Sequence, residues 1–245
     1  MNKTYAIADL HGRKDLWHEF ALELDENDKV YVLGDAIDRG PDGIELLQIL
    51  MKDPRVTFLK GNHEEMLYNS IEEQHYNNSP WWEPQPLEQT AFYQWVCNGG
   101  DITYEQFMAL DADKRCKILN YISDAPSYAV YDNKNQQQIL LSHSGASLKE
   151  FRKIVFNRCS IREQSNILLW NREHFKQNEK INDNIYIVHG HTPIDFMLPH
   201  AGKASERILR YNNGHKINLD IGAVWINKLA VLDLDTLEEF YVTLM

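Results

Sequence analysis

Short, nearly continuous apolar runs alternate with amphipathic stretches through the first 75 residues. Residues 5–8, 30–33 and 56–59 read as buried strands, and residues 14–24, 43–51 and 64–73, one stretch after each strand, carry helical spacing. Repeated units of strand and helix predict parallel strands with helices packed on a face. The middle of the chain changes character. Residues 77–86 are rich in Asn and Pro and read as a loop leading into helices at 89–96 and 104–123, which makes about residues 74–124 a helical insert. Strand patterns then dominate, at 127–131, 138–142, 185–189, 207–211, 216–219, 228–233 and 240–244. The expected fold class is therefore α/β (α+β): a two-sheet β-sandwich flanked by helices, its second sheet drawn from the β-rich second half. No internal repeat or low-complexity linker divides residues 1–245, which predicts a single domain.

Three polar blocks close the first three apolar runs: Asp9-Leu10-His11-Gly12, Gly34-Asp35-Ala36-Ile37-Asp38-Arg39-Gly40 and Gly61-Asn62-His63-Glu64. Each reads as a loop at the C-terminal end of a buried strand, the edge on which open α/β sheets place their sites. The helical insert is expected to roof that edge. Asp9 and His11, two apart on a strand that is ending, project in similar directions and suit two ligands of one metal ion. Asp35 offers two carboxylate oxygens that can bridge two cations, and Asn62 offers a neutral amide oxygen. Two later histidines also follow apolar runs, His143 in Leu141-Ser142-His143-Ser144-Gly145 and His191 in Val188-His189-Gly190-His191-Thr192-Pro193.

Mixed carboxylate, amide and imidazole donors suit two divalent ions such as Mn²⁺, with Fe or Zn²⁺ as alternatives. Two such ions can hold a hydroxide and the phosphoryl oxygens for in-line attack on phosphorus. His63 neighbours a ligand without needing to be one, which makes it the candidate general acid. Asp38 is placed to hydrogen-bond His63 and favour its imidazolium form. Arg39 and Arg172 present paired donors to phosphate oxygens, although Arg172 also reads as a surface residue on a helix.

Acidic residues outnumber Lys plus Arg by 36 to 25, a formal charge of -11 that argues against a general nucleic-acid binder. A phosphate-bearing substrate stays open, because two cations and two arginines reverse the potential locally. Cys97, Cys116 and Cys159 are few and widely spaced, and read as ordinary buried thiols of a reducing cytoplasm. No export signal, and no apolar stretch near the roughly 20 residues that span a bilayer, is visible.

Asp-x-His-Gly, Gly-Asp-x-x-Asp-Arg-Gly, Gly-Asn-His-Glu, a later His and a final Gly-His resemble the calcineurin-like metallophosphoesterases. The closer likeness is to the phosphoprotein phosphatase branch, with its bacterial and phage serine/threonine phosphatases. The resemblance implies a four-layer fold of two sheets flanked by helices, and a dinuclear metal site. It places Asp9, His11 and Asp35 on one ion and Asp35, Asn62, His143 and His191 on the other. It also implies His63 and Asp38 as the acid and its orienting partner, and Arg39 and Arg172 as phosphate-binding arginines.

The chain departs from bacterial relatives at Lys60, where Arg is usual, at Ser144, where Ala is usual, and at Asn227-Lys228 after Asp220-Ile221-Gly222-Ala223-Val224. Trp95, Asn98, Gly99, Gly100 and Thr103 resemble a segment of those relatives, either a substrate loop reached through Asn98 or a glycine turn ending a helix. His189 reads as support for a ligand or as strand packing. Glu64 reads as a buttress at a helix start rather than a catalytic group. Trp81 and Trp82 read as a loop anchor or a groove wall. The implied activity is a phosphomonoesterase of the serine/threonine protein phosphatase type, with dual specificity and small phosphate esters within reach. A dinucleoside polyphosphate hydrolase is the alternative; against it, Asp38 stands where those enzymes commonly carry Ala and Glu64 where they often carry Asp. A silent scaffold is a third reading, opposed by the filled ligand positions. The expected partners are a phosphorylated protein or a small phosphate ester, with no general nucleic-acid binding and no membrane, and the oligomeric state is left open.

Overall fold

The computed structural model describes residues 2–76, 90–176, 178–182, 184–198 and 202–244. Trp81 and Trp82 lie outside the described residues. Strands β1 (Thr4–Ile7), β2 (Lys29–Val32) and β3 (Val56–Phe58) run parallel, with Tyr5 opposite Val30 and Val30 opposite Val56. They are followed by helices α1 (Lys14–Leu22), α2 (Gly43–Leu50) and α3 (Asn62–Tyr76), as the alternating pattern predicts. The described part of the insert holds α4 (Ala91–Trp95), a π turn (Val96–Gly100), α5 (Asp101–Met108) and α6 (Ala112–Asp124). The single helix expected at 104–123 is thus two, because the Asp111 side chain accepts the Lys114 N–H and starts a new one.

The second sheet takes β4 (Tyr128–Asp132), β5 (Gln138–Ser142), β6 (Ile185–His189), β7 (Leu209–Tyr211) and β8 (Lys216–Asn218) in the order β4-β5-β6-β8-β7. Its centre is parallel and its edges antiparallel. Helices α7 (Leu148–Val155) and α8 (Ile161–Leu169) lie between β5 and β6, and the short α9 (Ile194–Met197) follows β6. The strand-centred reading of this half missed α7 and α8. Their signals are present: Ser147 and Glu150 close a reciprocal capping box, and Ser160 caps the Glu163 N–H.

A second correction concerns the last two strands. After α10 (Ala223–Ile226), strand β9 (Lys228–Asp233) pairs antiparallel with β1, and β10 (Glu239–Thr243) pairs outside it, so the first sheet reads β10-β9-β1-β2-β3. These strands do not extend the second sheet, as their position in the chain suggested. β9 needs burial on two faces: Leu229 and Val231 join the core beneath the helices, while Ala230 and Leu232 face the other sheet. A place beside β1 supplies both.

Alternation builds four layers. Ala6, Leu33, Ile139, Leu141, Val188 and Ile217 fill the space between the sheets. Ile7, Val30 and Val32 face α1, α2 and α3 through Trp17, Phe20, Leu47 and Leu67. Leu140 and Ile187 face α7 and α8 through Phe151, Ile154 and Leu168. The cysteines differ from expectation: Cys97 and Cys116 are exposed and Cys159 is half-buried, all three free, since each falls on the outer side of its segment. No helix among the described residues is long and apolar enough to cross a membrane.

Phe20 ties α1 to the central strand and one edge of the first sheet, its ring edge-on to Tyr5 at 5.7 Å and tilted against Phe240 at 6.2 Å. Phe20→Ala is expected to cost about 3–5 kcal/mol by urea denaturation; a loss under about 1 kcal/mol would show that this core closes over the gap.

Candidate metal centre

The polar blocks meet where β1, β2 and β3 of one sheet end opposite β5 and β6 of the other. Asp9 and His11 sit past the end of β1, in left-handed turns with φ of 53° and 43°, rather than on the strand itself. Asp35, Asp38, Arg39 and His191 are left-handed too, with φ of 53°, 70°, 65° and 72°. Such conformations cost on the order of 1 kcal/mol each and persist only where the surroundings fix them. Glu64 supplies much of that fixing. Its buried carboxylate accepts the N–H groups of Asp35, Ala36 and Gly61, each at 2.9 Å, so it braces the second block against the third. Burial and the nearby Asp35 push its pKa up to about 7. Asn62 and His63 are already in the first turn of α3, not in a loop. A Cβ on Gly190 would fall 1.9 Å from Asp9 Oδ2, so only glycine lets that carboxylate approach.

Asp35 is at the middle. Its Oδ1 lies 3.4 Å from His143 Nε2, and its Oδ2 lies 3.6 Å from His11 Nε2 and 3.8 Å from His63 Nε2. His11 Nδ1 donates to Ile37 O at 2.9 Å and His143 Nδ1 to Leu33 O at 2.8 Å, which leaves the lone pair of each ring on Nε2. Asn62 Oδ1 stands 2.7 Å from His143 Nε2 and 2.9 Å from His191 Nδ1. His191 Nε2 and Asp38 Oδ1 are buried without a hydrogen-bond partner among the described residues. Burial holds the pKa of His11, His143 and His191 below the ordinary imidazole value. Burial alone would raise Asp35, but His143, His63, His11 and His191 hold it well below the usual carboxylate range.

Two further acids crowd the same space. Asp9 is raised well above its ordinary pKa by burial, Asp220 and Asp35, and burial pushes Asp220 up to about 7. Converging lone pairs among mutually repelling carboxylates are a donor set that cations relieve, so the residues fit a metal centre. Among the described residues, two groups have ligand atoms close enough to hold an ion: His11, Asp35 and His63, and Asp35, His143 and His191. The second contains three of the four residues expected on one ion, with Asn62 beside it. In the first, His63 takes the place expected of Asp9, whose carboxylate accepts the His191 N–H at 3.0 and 3.1 Å.

His63 Nδ1 donates to Asp38 Oδ2 at 2.6 Å, the contact anticipated for an acid and its orienting partner. Burial would lower the His63 pKa, but Asp35 and Asp38 together raise it above the ordinary value. Asp38 is itself held by groups to which the sequence assigned no role. Trp95 Nε1 donates to Asp38 Oδ2 at 2.7 Å, and the Asp38 N–H donates to Thr103 Oγ1 at 3.0 Å. Arg39 donates through Nη2 to His63 Nε2 at 3.0 Å and through Nη1 to His11 Nε2, while its own N–H donates to Gly99 O at 2.9 Å. The Trp95 to Thr103 segment therefore reaches the site through an indole, a hydroxyl and a backbone carbonyl. Asn98 does not bring its side chain there; it is exposed and donates to Gln94 O at 2.8 Å.

Arg172 lies in the turn after α8 rather than on a helix, exposed, with Nε donating to Thr192 Oγ1 at 3.2 Å beside His191. Ser144, where relatives usually carry Ala, donates to Ile167 O at 2.9 Å and accepts the Asn171 N–H at 3.2 Å, so its hydroxyl steadies the Arg172 turn. His189 is buried behind the His143 loop, accepting from Tyr211 Oη at 2.8 Å. Two exposed tryptophans also border the site: Trp225 under the Arg39 guanidinium at 5.6 Å, and Trp170 edge-on to His191 at 6.4 Å.

The sequence profile described as calcineurin-like phosphoesterase matches residues 3–220. A symmetrical bis(5'-nucleosyl)-tetraphosphatase of Buchnera aphidicola is 38% identical over 69 residues, covering 25% of this chain and 24% of that protein. Serine/threonine-protein phosphatase 2 of Escherichia coli is 35% identical over 71 residues, 28% of this chain and 32% of that protein. The chain thus matches about a quarter to a third of the length of these curated relatives. A solved structure named as a candidate diadenosine tetraphosphatase covers 98% of this chain and 93% of its own, with a TM-score of 0.63 at 14% identity. A protein serine/threonine phosphatase from Saccharomyces cerevisiae covers 100% and 80%, with a TM-score of 0.55 at 10% identity. At such identities the solved structures speak for the fold alone.

Glu64→Gln turns an amide N–H₂ toward backbone donors that now share a carboxylate. A loss of about 1–3 kcal/mol in urea denaturation is expected, and unchanged stability would contradict the bracing role.

Proposed function

As the chain belongs to the calcineurin-like phosphoesterase family, we propose that it is a metal-dependent phosphomonoesterase acting on phosphoserine and phosphothreonine in proteins. Phosphotyrosine and small phosphate esters are further substrates on this reading. One ion is assigned to Asp9, His11 and Asp35 and the other to Asp35, Asn62, His143 and His191, with Mn²⁺ the metal that best suits the donors. When bound, two such cations lower the pKa of an attacking water and neutralise charge on the phosphoryl oxygens. Arg39 and Arg172 hold those oxygens through paired donors. Residues 1–245 are taken as one catalytic domain, a reading supported by the return of β9 and β10 to β1. The three free cysteines fit a reducing compartment such as the cytoplasm.

The observation that carries the substrate reading is the 2.6 Å contact between His63 and Asp38, with the imidazole pKa raised. A serine or threonine alkoxide is a poor leaving group and needs a proton as the bond to phosphorus breaks. A nucleotide phosphate leaves as a stable anion and needs none. In the role of acid, His63 gives the Nε2 proton to the departing oxygen while Asp38 keeps Nδ1 protonated and the ring in place. Arg39, which here donates to His63 Nε2, then turns to the phosphoryl oxygens. Trp95 and Thr103 act one step back, as positioning residues for Asp38.

A second reading, hydrolysis of dinucleoside polyphosphates, draws support from relatives that carry that name. Mn²⁺-loaded protein given a phosphoserine peptide beside diadenosine tetraphosphate decides between the two. A higher kcat/KM on the peptide is expected, and the reverse order would overturn the assignment. His63→Ala should keep its metal and lose on the order of 10²-fold or more in kcat; loss of metal, or wild-type activity, would remove His63 from the role of acid. Trp95→Phe, which deletes one hydrogen bond to Asp38, is expected to lower kcat for p-nitrophenyl phosphate roughly 10-fold at unchanged metal content. An unchanged kcat would show that the indole only packs.

A further inference from the structure

The chain is acidic overall, with 36 Asp and Glu against 25 Lys and Arg, yet the outer face of α7 inverts that balance. A groove of about 580 Å³ is lined there by Lys149, Arg152, Lys153, Arg158 and Lys180 around one carboxylate, Glu179. The helix explains part of this. Phe151 and Ile154 are buried, so Lys149, Arg152 and Lys153 fall on the outward face at the spacing that aligns side chains. Cations near the end of a helix also complement its dipole. That argument fails for Lys149, which sits in the first turn, where a cation is disfavoured, and it does not reach Arg158 or Lys180, outside the helix.

Few of these charges are neutralised. Glu179 is engaged elsewhere, accepting the Leu148 N–H at 3.2 Å and pairing with Lys216 Nζ at 2.9 Å. Lys153 pairs with Glu163 at 3.0 Å, and the Arg158 guanidinium lies over the Phe156 ring at 5.4 Å. Lys149, Arg152 and Lys180 have no acidic partner among the described residues. Phe156 is 63% exposed and gives the groove an apolar edge. The groove also belongs to the segment that leaves the metal centre: α7 starts shortly after His143, and Glu150 accepts from Asn171, the residue before Arg172, at 3.5 Å.

We propose that this groove docks an acidic segment of a phosphoprotein substrate, apart from the phosphorylated residue. The identity of the partner rests on the protein phosphatase reading; the binding of an acidic peptide does not. Lys149 and Lys153 stand about 6 Å apart along the helix, close to the spacing of alternate side chains on an extended strand, about 6.6 Å. Arg158 and Lys180 line the same groove, which makes more cations than a compact anion needs, and Phe156 offers contact to a side chain that inorganic anions lack.

Fluorescence anisotropy of a labelled oligoglutamate peptide without phosphate, with Mn²⁺-loaded wild type and the Lys149→Glu, Arg152→Glu double variant, tests this directly. Wild type is expected to bind, and affinity to fall roughly 10-fold or more in the double variant and at about 0.5 M salt. Hydrolysis of p-nitrophenyl phosphate should stay at wild-type kcat, which also shows that the variant is folded. For a phosphopeptide with an acidic flank, KM should rise in the variant while kcat holds. No binding by wild type, or equal binding by the variant, would overturn the proposal, as would tripolyphosphate displacing the peptide at equimolar concentration, which would mark a compact-anion site. Peptide binding without any turnover of the phosphopeptide would support the groove and sink the protein phosphatase reading, so the two fail separately.

Discussion

One buried carboxylate, whose two oxygens face different histidines, sets the terms for this molecule. A charge taken out of water is costly unless other groups replace its hydration. For Asp35 the compensation comes from both sheets: His11 and His63 follow strands of the first, and His143 and His191 follow strands of the second. The sandwich is what brings these two sets into reach. Neither half of the chain alone places four imidazoles around one acid, so the packing of Ala6 and Leu33 against Ile139, Leu141 and Val188 also positions the site.

The turns that carry these groups are strained, and the surrounding structure shows where that strain is offset. Five non-glycine residues of the polar blocks, and His191, adopt left-handed backbone, which short polar side chains tolerate best but none of these adopts freely. Glu64 gathers the amides of two blocks onto one carboxylate, and Gly190 lets Asp9 approach the His191 amide. The insert adds a second ring of support, reaching Asp38 through Trp95 and Thr103, and Arg39 through Gly99. A segment that reads either as a substrate loop or as a glycine turn ending a helix thus supports Asp38 and Arg39.

What was legible in the sequence follows from distance along the chain. Residues that act within one block, such as Asp35 with Asp38 and Arg39, sit beside a strand end and carry their own signal. The partners of those residues do not: Trp95 lies 57 residues from Asp38, and nothing local marks an indole that will donate to a carboxylate. Asp220 and Ser144 were visible only as letters in a pattern, because their roles arise when two sheets close. The pattern likewise marked residues 228–233 as a strand without showing which neighbour covers it. Helices α7 and α8 are a different case, since their Ser-x-x-Glu starts were readable and the strand-rich surroundings masked them.

The central claim is that Asp35 is shared by two cation sites, one beside each oxygen. Anomalous diffraction from crystals soaked in Mn²⁺ tests it most directly. Two peaks are expected, flanking Asp35, one beside Asp9 and His11 and one beside Asn62, His143 and His191. A single peak, or peaks remote from Asp35, would contradict the account.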